Sequence, residues 1–331
     1  MPSRAVAEPL RFSRIFLEKV WGGRALDRTP GIDLPPDQPI GETWEISDRA
    51  DHNSVVLDGP HRGRSLREIM SAHSDEVLGR ARPASDGSFP LLIKFLDATQ
   101  PLSVQVHPHG STARRGGECK TECWYILAAS PGSTIYLGLQ PGVTREDLAE
   151  HASQPSILDL LVRHEVCAGQ FVFVPGGTVH AVGAGITLLE VQNNADVTLR
   201  LYDWNRAGLD GRPRTIQAED ALGAVLYGEA VTGPVWPALV RGDDGNARAA
   251  LLDCDEFEIE LLEIERAAEL DTRDVAQVYV ALTGHGRLRD RGRVKAWAIA
   301  PGDTWLVPAA MGDHAIESNG ALRILRARTK A

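Results

Sequence analysis

Two stretches of alternating sequence, Leu102–Leu127 and Gly169–His180, restrict the possible folds of this chain more than any other feature. In the first, Gln105 and His107 lie two residues apart in an apolar run, so a strand would direct both side chains to one face. Glu122 begins the next apolar run, CWYIL, and the second stretch ends in a histidine two residues after the turn-rich VPGGT. Pairing of these strands would collect nitrogen and oxygen donors inside a β structure.

These polar side chains predict a divalent-metal site. They occur within or beside apolar runs, where an unpaired buried Gln, His or Glu costs roughly 1–3 kcal/mol or more. Coordination of one ion by Gln105, His107, Glu122 and His180 would satisfy all of them. A nitrogen and oxygen set without thiolate suits zinc, but also manganese, iron or cobalt. A single histidine of this kind is more often a surface or hydrogen-bonding residue, so the prediction depends on the combination.

The charge and cysteine content limit the class of protein. The chain has 45 acidic and 35 basic residues, for a net charge of −10. Because nucleic-acid and anionic-membrane binders need basic faces, we expect neither partner. The four cysteines form no regular framework, the first residues lack the apolar segment of a signal peptide, and no run reaches the ~20 apolar residues of a membrane span. We therefore expect a soluble, cytoplasmic protein with reduced thiols.

The hydrophobic pattern predicts a mainly β fold with a few peripheral helices. Short apolar runs separated by turns recur along the chain, and Phe89–Leu96 is typical of a buried central strand. Ser65–Leu78 begins with Ser and has Glu three residues later, which is the capping-box spacing of a helix. Thr144–Val162, kinked or split at Pro155, and Thr215–Leu226 are predicted to be the other helices.

A change in composition predicts two structural units. Residues 228–248 are rich in Gly, Pro, Asp and Asn, which indicates a boundary near residue 240. Beyond it, short strands follow one another closely, a spacing typical of an all-β sandwich or barrel. We therefore divide the chain into residues 1–240 and residues 241–331.

The two units share a sequence frame. Gly169–Pro175 and Gly302–Pro308 each contain a glycine, five residues that alternate toward apolar, and a proline. A histidine follows in both cases, His180 in the first unit and His314, one place later, in the second. The second unit lacks a convincing partner for the Gln–x–His pair. We therefore predict a duplicated β-barrel in which only the first copy holds a metal.

The frame G-x5-P-x-G-x2-H at Gly169–His180 is similar to the second motif of the cupin superfamily, β-barrels of jelly-roll type that hold a metal inside. The usual first histidine of that superfamily is replaced by Gln105, and Glu122 lies fifteen residues after His107. This departure resembles the type I mannose-6-phosphate isomerases, in their short bacterial form. The matching blocks span about residues 20–206: WGG, GETWEIS, PLLIKFLDA, PLSVQVHP, K-x-E-x-W-Y, VPGGTVHA and LLEVQNNADVTLRLYDWNR.

The resemblance implies two cupin-type jelly-roll barrels, a metal-binding one in residues 1–240 and a degenerate one in residues 241–331. It implies interconversion of mannose 6-phosphate and fructose 6-phosphate through a cis-enediol. Arg200 matches the arginine assigned as catalytic in the family, and Lys120 matches a lysine proposed to act in catalysis or phosphate binding. One Zn2+ per chain would be held by four ligands: Gln105, His107, Glu122 and His180.

Candidate substrate-binding residues follow from the need for cationic donors to phosphate. Arg114 and Arg115 precede Lys120 in a glycine-containing segment, and we interpret them as phosphate contacts, with a solvated loop as the alternative. Lys94, in a buried run, either extends to solvent or faces a functional cavity. Glu42 and Glu45, with Trp44 between them, either belong to a solvated strand edge or form a wall of the site.

The role of Arg200 and the general base are less constrained. Arg200 shares a strand face with Thr198, where a polar cavity could lie, and a structural salt bridge to Asp196 or Asp203 is the alternative. Lysine serves as a base only if its pKa is lowered by burial or nearby positive charge. The candidate bases are Lys120, Glu45, Glu190 and a metal-bound water.

Two other functions compete with this one: a phosphosugar isomerase or epimerase of different specificity, and a non-catalytic sugar-binding cupin. The simultaneous presence of Gln105, Lys120, Glu122 and Arg200 favours catalysis, because binding alone would not need all of them. We expect a small phosphosugar as the only partner of the site and a chain that is a monomer or a homodimer.

Overall fold

A computed structural model of the chain describes residues 5–29, 31–113, 117–292 and 294–331. Its helices are α1 Leu66–Leu78, α2 Arg145–His151 and α3 Ala218–Ala224, with short 3-10 turns at Ala25–Arg28, Pro155–Leu160 and Ala309–Met311. Its strands are β1 Leu10–Arg11, β2 Ile15–Gly23, β3 Ile40–Ile46, β4 Leu91–Ala98, β5 Val104–Val106, β6 Glu122–Ala129, β7 Thr134–Leu139, β8 Leu161–Glu165, β9 Phe171–Val174, β10 His180–Val182, β11 Ile186–Asn193, β12 Leu199–Tyr202, β13 Val240–Arg241, β14 Ala247–Asp253, β15 Phe257–Ile264, β16 Ala267–Leu270, β17 Gln277–Thr283, β18 Gly286–Asp290, β19 Ala296–Ile299, β20 Thr304–Val307, β21 His314–Ser318 and β22 Leu322–Thr329.

The N-terminal part forms two facing antiparallel sheets. One has six strands in the order β2-β3-β4-β11-β6-β9, and the other has five in the order β12-β5-β10-β7-β8. Leu96, Trp124 and Leu188 of the six-stranded sheet belong to a buried cluster with Ile135 and Leu137 of the five-stranded sheet. This cluster fills only part of the space between the sheets, and polar side chains occupy the rest.

The C-terminal part repeats this arrangement with a seven-stranded sheet, β1-β20-β17-β22-β15-β14-β13, facing a four-stranded sheet, β16-β21-β18-β19. Its first strand comes from the N-terminal end of the chain, because Leu10 pairs with Leu306. A large apolar cluster joins the two parts: Phe95 and Leu189 of the six-stranded sheet are buried with Leu261 and Leu325 of the seven-stranded sheet. The seven-stranded sheet therefore covers the outer face of the six-stranded sheet.

The predicted mainly β, two-unit jelly-roll architecture is confirmed, with strands paired in facing sheets rather than in a closed ring among the described residues. The predicted capping box of α1 is also confirmed, with the Ser65 side chain accepting from the Glu68 N–H. The division at residue 240 stays a prediction. Among the described residues, no helix combines the length and apolar character needed to cross a lipid bilayer.

The predicted helix over Thr144–Val162 is wrong in its second half. The capping box at Thr144 forms, but α2 ends at His151. A 3-10 turn then begins at Pro155, which cannot donate the N–H that a continuing helix requires. The residues that follow enter the five-stranded sheet as β8. The helix predicted over Thr215–Leu226 is present but shorter, since α3 spans only Ala218–Ala224.

The second unit carries the same frame but fills its interior differently. In each unit one strand lies within the frame, β9 in the first and β20 in the second. The strand after it, β10 or β21, begins with the histidine, His180 or His314. His314 Nε2 lies 2.7 Å from the Tyr279 hydroxyl, and its Nδ1 lies 2.7 Å from the Gly312 carbonyl oxygen. Both ring nitrogens of His314 therefore have protein partners.

Candidate metal centre and adjoining cavity

Strand pairing brings the predicted ligands together from both sheets. Gln105 of β5 is directly opposite His180, the first residue of β10, and His107 follows β5 by one residue. Glu122 begins β6 in the facing sheet, on the same face as Trp124 of the core. The turn before His180 is tied to the ligand strand, because Gly177, at a φ of +86° that glycine tolerates, donates its N–H to the His107 carbonyl at 2.8 Å.

The donor atoms of these residues converge. His107 Nε2 lies 3.3 Å from Glu122 Oε2, and His180 Nε2 lies 3.4 Å from Glu122 Oε1. Gln105 Nε2 lies 3.2 Å from His180 Nε2. Among the described residues, His107, Glu122 and His180 form the group of metal-ligating side chains whose donor atoms all lie within 4.8 Å of one another. All three are buried.

The histidine rings are oriented by their other nitrogens. His107 Nδ1–H donates to the Val197 carbonyl oxygen at 2.7 Å, and His180 Nδ1–H donates to the Thr178 carbonyl oxygen at 2.9 Å. This tautomer directs the Nε2 lone pair of each ring toward Glu122. Burial lowers the pKa of His107 to about 3 and also lowers the pKa of His180. Both rings are therefore neutral, which is the form that binds metals.

These residues fit a bound dication. His107 Nε2 and Glu122 Oε2 are buried without a hydrogen-bond partner, although Glu122 Oε2 has an ion pair with Lys120 at 2.8 Å. Such orphaned atoms are costly unless an ion satisfies them. Gln105 Oε1 accepts from the Ser103 hydroxyl at 2.9 Å. A half-turn of the amide would present Oε1 to the ion and leave the hydroxyl oxygen to accept from Nε2.

A chain of alternating charges leads away from the ligands along the six-stranded sheet. Its members are mostly buried, and each cation lies beside at least one carboxylate. The indole N–H of Trp44 and that of Trp124 donate to Glu42 and Glu190 at 2.7 and 3.2 Å. The nitrogen-to-oxygen distances along the chain are Lys19–Glu42 3.3 Å, Glu42–Lys94 3.8 Å, Lys94–Glu190 3.4 Å, Glu190–Lys120 3.9 Å and Lys120–Glu122 2.8 Å.

The same contacts set the protonation states. Burial, followed by the neighbouring Glu122 carboxylate, raises the pKa of Glu190 above its usual value. For Lys120 burial acts in the opposite direction, but Glu122 and Glu190 outweigh it and raise the pKa. Lys120 is therefore a stable ammonium ion, whereas Glu190, among Glu42, Glu122 and Glu190, is the carboxylate that takes up a proton most readily.

A polar cavity of about 340 Å³ lies beside the ligands, between the two sheets. This volume is in the usual range for a small-molecule site. Its walls are mainly charged and amide side chains from both sheets. They include Lys19, Glu42, Lys94, Ser103, Gln105, Lys120, Glu190, Asp196, Thr198, Arg200, Arg214 and Gln217.

Arg200 reaches this cavity from β12, where it pairs with Gln105. The predicted alternative, a salt bridge to Asp196 or Asp203, does not form: among the described residues Asp203 pairs instead with Arg206 and Arg214. Arg200 Nε is buried without a hydrogen-bond partner. Burial, followed by the nearby Arg214, lowers the pKa of Arg200. The guanidinium thus lies in a site prepared for a negative charge.

Of the predicted substrate contacts, the structure places Lys94 at the cavity but not Glu45. Lys94 is buried and faces the cavity, whereas the structure does not bring Glu45 there. Glu45 lies at an irregularity in the pairing of β3 and accepts from Arg14 Nε at 2.8 Å, on the side of the C-terminal sheets. Burial raises the pKa of Glu45 to about 7. Arg114 and Arg115 lie outside the described residues.

The sequence interpretation assigned no role in the site to Lys19, Ser103, Arg214 and Gln217, which also line the cavity. Of the two glutamates considered as a wall of the site, Glu42 lines the cavity and Glu45 does not, because alternation places Glu42 and Trp44 on the face opposite Glu45. Lys19 and Arg214 give no comparable signal, since they come from a strand edge and an irregular segment.

Comparisons with known proteins give a consistent result. A family model described as "Phosphomannose isomerase type I, catalytic domain" matches residues 10–131. The chain is 33% identical over 306 residues to a mannose-6-phosphate isomerase of Streptococcus mutans, covering 92% of this chain and 93% of that protein. It matches the crystal structure of the mannose 6-phosphate isomerase from Bacillus subtilis with a TM-score of 0.87 at 29% identity, over 96% of this chain and 99% of that one. It shares its fold with a zinc-bound mannose 6-phosphate isomerase, with a TM-score of 0.75 at 19% identity over 98% and 100% of the two chains.

Proposed function

We propose that this chain, which belongs to the mannose-6-phosphate isomerase family, interconverts mannose 6-phosphate and fructose 6-phosphate. The observation that carries the proposal is the convergence of Glu122 and two neutral histidines beside a cavity that also exposes Lys120 and Arg200. A site for binding alone would not require a metal group, a buried ammonium ion and an unpaired guanidinium around one small space.

We infer that Gln105, His107, Glu122 and His180 hold a zinc ion, since their donor atoms suit that metal. Zinc bound there would polarise the carbonyl and hydroxyl oxygens at C1 and C2 of the open-chain sugar. The protein controls the site through the carbonyl groups that fix both histidine rings and through the ion pair between Lys120 and Glu122.

Glu190 is the group we assign to proton transfer between the two carbons. Its carboxylate lines the cavity and has a raised pKa. Acting as a base, it would take the proton from C2 of the aldose and later return it to C1. Lys120 would donate a proton to O1 as the cis-enediol forms and recover one from O2 as the ketone forms, so that no proton is gained or lost overall. Because its pKa is raised, Lys120 stays protonated, which is the state of a proton donor and not that of a base.

Arg200 and Lys94 would orient the substrate. The Arg200 guanidinium has no carboxylate of its own among the described residues, so an anionic substrate supplies the missing charge. Lys94 is held between Glu42 and Glu190 and can donate to sugar hydroxyl groups from that position. Arg114 and Arg115 remain predicted phosphate contacts.

The direct test is to incubate the purified protein with mannose 6-phosphate and to follow fructose 6-phosphate formation. Turnover should disappear with a chelator and return when zinc is added. Absence of turnover in the metal-replete protein would remove this function.

Residues 1–240 would form the catalytic unit, because every described cavity residue lies there, and residues 241–331 would cover its outer apolar face. We further infer a cytoplasmic location, which suits four free cysteines, and a monomer or homodimer that needs neither nucleic acid nor membrane.

A further inference from the structure

Two arginines contact one carboxylate, and a third lies nearby, at the end of the cavity formed by β12 and the segment that follows it. Arg206 Nη2 lies 2.8 Å from Asp203 Oδ1, and Arg214 Nη1 lies 3.2 Å from both Asp203 oxygens. Arg200 is close enough to Arg214 for the charge to lower its pKa. Asp203 is buried, so it cannot turn away to solvent. This arrangement is defined here as the arginine cluster: Arg200, Arg206 and Arg214 with Asp203.

The arginine cluster has unused hydrogen-bonding capacity. Arg200 Nε, Arg206 Nε and Arg206 Nη1 are all buried without a partner. Arg214 lines both the metal-side cavity and a neighbouring cavity of about 400 Å³ that Arg206 also lines. Gln217 accepts from the Arg200 backbone N–H through Oε1 at 3.1 Å, which leaves its amide Nε2 to donate. In the metal-side cavity Arg214 therefore lies with Arg200 and Gln217, and Arg206 lines the neighbouring cavity on the other side of Arg214.

The two ends of the metal-side cavity differ in charge balance. At the lysine end, Lys19, Lys94 and Lys120 each lie within 4 Å of a glutamate, so their charges are largely compensated. In the arginine cluster Asp203 is shared by two guanidinium groups, and Asp196 on the cavity wall is the further carboxylate near Arg200. The uncompensated positive charge lies at the arginine end.

We propose that Arg214, together with Arg200, binds the phosphate group of the substrate and thereby sets the preference for a phosphorylated over a free sugar. This inference rests on the proposed isomerase function. A phosphomonoester carries the charge that the arginine cluster lacks, and guanidinium groups bind its oxygens with two parallel hydrogen bonds. Because Arg200 pairs with Gln105, the phosphate end lies beside the metal end, as a six-carbon substrate requires.

The test compares Arg214→Ala with Arg212→Ala. Both remove one positive charge from the same segment, but Arg212 is exposed and does not line either cavity. Loss of a charge-assisted contact should raise the KM of Arg214→Ala for mannose 6-phosphate about tenfold to a hundredfold. Inhibition by inorganic phosphate should weaken in parallel, whereas kcat should change much less. Arg212→Ala should behave as the wild type.

A second variant, Arg214→Lys, with measurements of metal content and thermal midpoint, distinguishes lost substrate binding from misfolding. Arg206 retains the ion pair with Asp203 when Arg214 is replaced, and Arg214→Lys keeps a cation beside Asp203 but loses the planar fork. We expect Arg214→Lys to show an intermediate KM, with wild-type metal content and thermal midpoint in both variants. An unchanged KM and unchanged phosphate inhibition in a folded Arg214→Ala would overturn the inference.

Calorimetry distinguishes failure of this inference from failure of the proposed function. The wild type should bind fructose 6-phosphate much more tightly than fructose, and Arg214→Ala should lose this difference whether or not turnover occurs. If the wild type binds both sugars equally, the arginine cluster is not a phosphate site. A wild type that discriminates without isomerising mannose 6-phosphate contradicts only the isomerase function.

Discussion

The substitution Arg200→Met should separate catalysis from stability. Among the described residues the Arg200 guanidinium makes no ion pair and no side-chain hydrogen bond, and its Nε is buried without a partner. Burial and the charge of Arg214 lower the pKa of Arg200, so the positive charge opposes folding. Methionine preserves most of the apolar stem while removing that charge.

The expected magnitudes follow from these contacts. Because no folded-state partner is lost, the free energy of unfolding should stay within about 0.5 kcal/mol of the wild type or rise by up to about 1 kcal/mol. Catalysis should lose a charge-assisted contact to the anionic substrate, about 1.5–4 kcal/mol. That loss corresponds to a fall in kcat/KM of about tenfold to a thousandfold.

Three measurements on one preparation decide the matter: denaturant unfolding, metal content and the rate of fructose 6-phosphate formation. The expected result is normal stability and full metal occupancy with greatly reduced kcat/KM. A variant that loses metal or stability in proportion to activity would refute the reasoning, because Arg200 would then be a structural residue.

Three other substitutions test separate parts of the site. His180→Ala should release the metal and abolish activity, and full metal occupancy measured by elemental analysis would disprove the ligand set. Glu190→Gln should keep metal and fold but reduce kcat by about a hundredfold to ten-thousandfold; a reduction smaller than tenfold would exclude Glu190 as the base. Burial alone would raise the pKa of Glu42, but Lys19 and Lys94 lower it from 4.5 to about 2. The ionised Glu42 therefore contributes to the free energy of unfolding, on the order of 3 kcal/mol at most, above pH 4.5, and this contribution is lost toward pH 2. The acid unfolding curves of the wild type and of Glu42→Gln should therefore converge across that range. Curves that stayed parallel would contradict the pairing.

Much of the metal centre could be predicted because its signals are local. Gln105 and His107 differ by two positions, which determines their shared direction in any strand. Glu122 begins an apolar run, and the structure begins β6 at the same residue. Such patterns specify which face a side chain occupies without knowledge of the partner strand.

The lining of the cavity was less predictable because it depends on long-range pairing. Lys94 pairs with Glu190 and Trp44 only once β4 lies between β11 and β3. Glu45 lies at an irregularity in the pairing of β3 with β4 and contacts Arg14 on the side of the C-terminal sheets, whereas alternation around Trp44 directs Glu42 to the cavity. Arg214 enters the site from an irregular segment, where no period relates sequence to direction.

We infer that one ion joins the two sheets of the N-terminal unit through four side chains. An anomalous difference map recorded at the zinc absorption edge from crystals of the zinc-loaded protein tests it most directly. We predict a single strong peak bonded to Gln105, His107, Glu122 and His180. A fully active crystal with no peak between those residues, or with its zinc bound elsewhere, would contradict it.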